Sequence, residues 1–252
     1  MIADPLFYAI AVPVLLITGI SKGGFGAGLG TLATPLLSLV IAPTQAAAIM
    51  LPILCFMDLF GLWAYWRRWD RVNLRIIMPG AVIGIALGAI TFGALDDRWI
   101  GLAIGLLAVA FALDWWLRRG LSRPARPPSF WRGTLWSSVS GWTSFVAHAG
   151  GPPLGVYLLP QRMDKTLYVG TTVIYFAMVN YLKIVPYAWL GLLGTGNLST
   201  SAVLLPMAPA GMALGVWLHG RIRPEPFYRV CYLFVLAAGV KLVADNVGIL
   251  LR

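Results

Sequence analysis

The sequence predicts an all-α polytopic membrane protein built as an inverted-topology repeat. Each half is a Gly-broken hairpin followed by three transmembrane helices. Three observations carry this prediction. The 252 residues are 59% hydrophobic and only 11% charged, with a mean hydropathy of +0.81, far more apolar than a soluble domain. Apolar runs of about 20 residues, the length needed to cross about 30 Å of hydrocarbon, recur along the whole chain. The chain also repeats itself at one spacing, 127 residues from Pro79 to Pro206.

The repeat is clearest between "PGAVIGIALGAITFGAL" at 79–95 and "PMAPAGMALGVWLHGRI" at 206–222. Pro79, Gly84, Ala86, Leu87, Gly88 and Gly93 fall on Pro206, Gly211, Ala213, Leu214, Gly215 and Gly220. Without a gap, the same offset carries Gly23, Gly24 and Gly28 onto Gly150, Gly151 and Gly155, and Thr44 onto Thr171. The first half is read as residues 1–117, with a hairpin at 5–41 and helices at about 44–66, 74–95 and 98–117. An Arg/Pro stretch, 118–132, forms a cytoplasmic linker. The second half, 132–252, has a hairpin at 132–160 and helices at about 167–188, 200–220 and 227–250.

Basic residues invert the orientation of the second half. The loop 67–75 carries Arg67, Arg68, Arg71 and Arg75, whereas its repeat mate at 187–201 has no Lys or Arg. The 96–98 loop is Asp96, Asp97 and Arg98, whereas its mate at 221–229 has Arg221, Arg223 and Arg229. The N-terminus lacks Lys and Arg, and its mate is the arginine-rich linker. The neutral 42–45 segment answers to one containing Arg162 and Lys165. By the positive-inside rule the halves insert in opposite senses, with both termini periplasmic and the 67–75, 118–132 and 221–229 loops cytoplasmic. Most of the net charge of +10 thus reports topology, and no nucleic-acid-binding pattern accompanies it. The N-terminus has no basic n-region of a cleaved signal peptide. Cys55 and Cys231 lie in apolar runs, with no disulfide or metal spacing.

Inversion needs an odd number of crossings per half. Three plain helices supply it only if each Gly-broken segment enters and leaves on one side. In 5–41 the first arm runs to about Ser21 and the second starts near Phe25. In 132–160 the turn falls near His148–Gly151. Arms of about 17 residues, roughly 25 Å, allow either a re-entrant hairpin or two short crossings. Glycines at the tip and the lack of a polar loop favour the re-entrant form.

The turn "SKGG", Ser21 to Gly24, places a cation and two glycines where apolar helix is expected. A helix beginning at Gly24–Phe25 would present free N–H groups and partial positive charge. With the Lys22 ammonium and Ser21 hydroxyl these would form an anion site. His148, Gly150 and Gly151 occupy the mate positions. Two opposed turns near the midplane suit a secondary transporter binding a small anion. Structural alternatives stand beside this reading: glycines packing helices closely, Lys22 snorkelling to an interface, and a structural His148. Asp58, Asn180 and Lys183 lie inside apolar helices. Intramembrane ionisable groups point to coupling or gating, although Asp58 and Lys183 could simply pair with each other. His148 or Asp58 is a candidate for proton coupling.

"GISKGGFGAGLGTLATPLL", "APTQAAAIMLPI" and "GAVIGIALGA", with their degenerate copies, resemble the sulfite exporter TauE/SafE family from about residue 6 to 250. The resemblance implies transport of small sulfur-containing anions, such as sulfite, sulfonates or thiosulfate, across the bacterial inner membrane. Ala149 stands where the second half would repeat Lys22, so the halves contribute unequal charge. No nucleotide-binding P-loop, cofactor pattern, metal-ligand cluster or nucleophile–base set is present, so an enzyme is not expected. The expected partners are the anion, the lipid bilayer and, as an open point, further copies of the chain. An anion channel or an uptake permease is the alternative function.

Overall fold

A computed structural model describes residues 2–24, 33–117, 126–218, 221 and 224–250. Among these residues all regular structure is helical, with no strand. In chain order the helices are α1 (Pro5–Gly24), α2 (Ala33–Leu37), α3 (Pro43–Ala64), α4 (Arg71–Ala94), α5 (Asp97–Leu117), α6 (Phe130–Ala147), α7 (Gly151–Leu158), α8 (Lys165–Trp189), α9 (Thr195–Leu204), α10 (Met207–Leu218) and α11 (Pro224–Leu250). A 3-10 turn, Leu159–Gln161, follows α7.

By length and composition α1, α3, α4 and α8 can each cross a membrane, and α9 with α10 makes a bent fifth candidate. Over 200–220, read from sequence as one helix, the backbone is two helices bent by 45°. Pro206 sits at the bend, where it lacks the N–H an unbroken helix would use. Its repeat mate Pro79 lies inside the continuous α4, so the proline permits the break and its surroundings decide it.

Local sequence explains the helix ends that matter here. Pro43 occupies the first helical position of α3, where its missing N–H costs nothing. Asp70 caps α4 by accepting from the Asn73 N–H, and Asp164 caps α8 by accepting from the N–H groups of Thr166 and Leu167. Asn73 and Gln161 exchange two side-chain amide hydrogen bonds, 2.8 and 3.0 Å, tying the start of α4 to the 3-10 turn.

Packing follows a crossed pattern. α4 lies along α6 and α1 along α10, while α5 packs on α11 and α3 on α8. Glycine makes the first two contacts possible. A Cβ on Gly24 of α1 would run into the carbonyl oxygen of Gly215 on α10. One on Gly84 of α4 would run into the carbonyl oxygen of Ser138 on α6. Without a water-driven hydrophobic effect between helices, such backbone-level contact supplies much of the association energy. Around these pairs lie two large apolar cores among the described residues. One joins α3, α4, α6, α7 and α8 around Phe92, Phe145 and Tyr187; the other joins α1, α2, α3 and α10 around Leu15, Met50 and Met212. α3 contributes to both, and so separates and supports the polar groups between them.

Candidate functional site

The polar centre starts at the end of α1. The helix continues through Gly24, so Gly23 and Gly24 are helical and belong to α1. The expected second arm from Phe25 lies outside the described residues. Lys22 in this last turn faces the negative end of the helix dipole. The Tyr65 hydroxyl, at the end of α3, donates to the Gly23 carbonyl at 2.7 Å and pins α1 to α3. Ser21 is buried beside Lys22.

Lys22 does not snorkel. Its Nζ lies 2.6 Å from Asp58 Oδ1, with both side chains buried, and also donates to the Leu54 carbonyl at 3.2 Å. Leu54 and Asp58 are one turn apart on α3, hence on one face. The other carboxylate oxygen of Asp58 accepts from Asn180 Nδ2 of α8 at 2.8 Å. Asp58, with no exposed surface, thus has a charge partner and an amide donor, as a buried carboxylate requires.

One turn along α8, Lys183 begins a second cluster. Its ammonium donates to the Ser144 carbonyl at 2.9 Å, to Ser144 Oγ at 3.1 Å and to His148 Nδ1 at 2.8 Å. Three acceptors match the three hydrogens of an ammonium. His148 Nε2 lies 2.9 Å from the Ala47 carbonyl. That oxygen can only accept, so Nε2 carries the proton and Nδ1 receives Lys183; the ring is the neutral tautomer. His148 ends α6 in left-handed backbone, φ 51° and ψ 29°, an uncommon conformation for a non-glycine residue. The chain then turns into α7.

One alternative read from the sequence is corrected by this geometry. Asp58 and Lys183 do not pair with each other: Asp58 is held by Lys22, and Lys183 by His148 and Ser144. Lys22 is therefore not the uncompensated cation. Among the described residues Lys183 has no carboxylate partner, and it is completely buried. The surroundings of the glycines are also defined in part. Gly23 and Gly24 press on the α10 backbone, and Pro152 and Pro153 remove two donors from the first turn of α7. Gly151 opens that helix, and the carbonyl of Gly150 accepts from Ser140 Oγ at 2.7 Å.

Ser144 and the Ala47 carbonyl were not anticipated from the sequence. Ser144 lies four residues before His148 and so on the same face of α6, a signal that sequence reading could have used. The Ala47 carbonyl belongs to an alanine run and carries no such signal. Asn180 and Lys183, three residues apart on α8, join the two clusters into one buried polar centre spanning α1, α3, α6 and α8.

A helical bundle with several membrane-capable spans and ionisable groups paired in its interior is a polytopic membrane protein with a buried polar centre of the kind that marks function. The family model described as "Sulfite exporter TauE/SafE" matches residues 11–242, and the chain belongs to that family. It is 26% identical over 181 residues to the "Probable inner membrane transporter protein TsaS" of Comamonas testosteroni, an alignment covering 69% of this chain and 72% of that protein. No solved structure matches the chain. The protein is accordingly a multi-pass inner-membrane transporter of a family whose function is sulfite export.

Proposed function

We propose that this transporter exports a small anion, such as sulfite, an organosulfonate or thiosulfate, through a buried site centred on Lys183, His148 and Ser144. The observation that carries the reading is Lys183 itself, a buried ammonium whose partners among the described residues are all neutral. A cation in a low-dielectric interior is costly unless balanced, and a bound anion balances it. Lys22, Asp58 and Asn180 shape the wall of this site. The turns at Ser21–Gly24 and His148–Gly151 hold its helices at the required depth.

The crossed packing supports an inverted repeat with halves 1–117 and 132–252 about the 118–132 linker. Under the 127-residue offset α1 corresponds to α6 and α10 to α4, so α1 on α10 and α4 on α6 are the same contact made twice. The remaining large contacts, α3 on α8 and α5 on α11, each join repeat mates. A pseudo-two-fold axis in the membrane plane generates that set of pairs. α7 has 8 residues, about 12 Å of helix, which favours a re-entrant second hairpin over one that crosses. Rocking of one half against the other would expose the central site alternately. Outward movement of one negative charge gains ~2.3 kcal/mol per 100 mV of inside-negative potential, so the potential alone can drive export.

The test is sulfite and methanesulfonate flux in proteoliposomes under an imposed potential. Saturable flux stimulated by counter-substrate is expected, and Lys183→Met should abolish it. Unsaturable conductance would favour the channel alternative. Normal flux in Lys183→Met would remove the site assignment.

A further inference from the structure

We infer that the site is built for a monoanion, and that Asp58 is the residue setting this charge selectivity. The inference rests on the anion-transport reading above and narrows its substrate class.

The argument is a charge count over the buried centre. Lys22 and Asp58, 2.6 Å apart, cancel. His148 contributes no charge, because Nδ1 is occupied as an acceptor for Lys183 and Nε2 donates to the Ala47 carbonyl. Asn180 and Ser144 are neutral. Lys183 is left as one positive charge, and it is fully buried. A monoanion brings the centre to neutrality. A dianion leaves one uncompensated negative charge in the same low-dielectric surroundings, and buried charges are tolerated only when paired.

Asp58 makes the difference between one and two available cations. It has no exposed surface, and both of its oxygens are engaged, by Lys22 and by Asn180. Were it absent as a charge, Lys22 and Lys183 would both face the substrate. Lys22 is linked to Lys183 through Asp58 and Asn180, and Asn180 and Lys183 are neighbours on one face of α8. Selectivity by leaving one surplus charge is a repulsive device against the wrong ligand. It favours hydrogensulfite and simple sulfonates over sulfate, thiosulfate and sulfonates bearing a second acid.

Methanesulfonate and sulfate provide the test, as tetrahedral sulfur anions of similar size that differ by one charge. Their dissociation constants are measured on the purified full-length protein by calorimetry or by thermal shift. The parent is expected to bind methanesulfonate at least tenfold more tightly than sulfate. The isosteric Asp58→Asn should shift that ratio at least tenfold toward sulfate. The pair Lys22→Gln with Asp58→Asn removes both charges together and should return the ratio to that of the parent. Equal or tighter sulfate binding by the parent overturns the charge count. So does an unchanged ratio in a folded Asp58→Asn, or a sulfate-preferring double variant. If Asp58→Asn alone yields no folded protein, Lys22→Gln decides instead: it leaves Asp58 to cancel Lys183, so methanesulfonate binding should weaken at least tenfold, and unchanged binding overturns the role of Asp58. Failure of the parent to bind either anion overturns the transport site itself, an outcome distinct from binding both without preference.

Discussion

Asp58 and Lys22 show how a membrane interior tolerates full charges. Each is expensive alone, and together with Leu54 and Asn180 they satisfy one another. Removing one partner strands the other. Lys22→Met is therefore expected to destabilise the protein by about 3–5 kcal/mol, the usual consequence of breaking a buried pair. Adding Asp58→Asn to that variant should recover most of the loss, because the stranded carboxylate is gone. Unfolding in mixed micelles measures both, and a Lys22→Met protein as stable as the parent would contradict the pair. Lys183 has a different duty. Its acceptors are neutral, so Lys183→Met should leave a folded protein whose melting temperature no longer rises with methanesulfonate, since stabilisation by ligand requires binding to the native state. Lys183→Arg should restore little of this response. A planar guanidinium cannot reproduce three bonds diverging from one nitrogen.

Helix pairs set the positions of these residues. α1 reaches α10, and α4 reaches α6, at the distance of backbone on backbone. Side chains at Gly24 or Gly84 would separate each pair and move Lys22 or His148 with it. Gly24→Ala is expected to cost about 1–3 kcal/mol, the range for overfilling a tight contact. Gly194→Ala is the control. A Cβ there meets only the Gly191 carbonyl, at 3.9 Å, so its effect should stay within about 0.5 kcal/mol. Thermal unfolding of the purified variants, with size-exclusion to count folded protein, separates the two. The break between α9 and α10 belongs at this scale as well. Pro79 and Pro206 are equivalent by sequence, yet the first lies within an unbroken helix packed along its length by α6.

At the level of the whole molecule the prediction concerns orientation. Exposed Arg71, at the start of α4, and exposed Ser199, in α9, lie in the repeat-mate segments 67–75 and 187–201, which have opposite charge bias. Single cysteines at these positions, in a Cys55→Ala and Cys231→Ala background, are expected to react with impermeant maleimide from opposite sides of the membrane. Arg71→Cys should label from the cytoplasmic side and Ser199→Cys from the periplasmic side. Labelling of both from one side would end the inverted-topology reading, whatever the packing pattern.

Composition and periodicity were enough to determine the membrane class and the helical character, because both are written in local runs of apolar and small residues; the family was legible only through the resemblance of particular motifs, above all the Lys-Gly-Gly turn at 22–24. The repeat spacing was legible for the same reason: glycines and prolines constrain backbone wherever they stand. The roster of chemically interesting residues was also legible, since Ser21, Lys22, Asp58, His148, Asn180 and Lys183 stand out against an apolar background. Their partnerships were not. Asp58 and Asn180 are separated by 122 residues, His148 and Ala47 by 101, and no local pattern encodes such contacts. The sequence placed Lys22 at the centre of an anion site and offered Asp58 to Lys183. The tertiary structure gave Asp58 to Lys22 and left Lys183 with a histidine and a serine. The physical reason is that charge balance belongs to a volume: which cation remains uncompensated depends on the helices that meet around it.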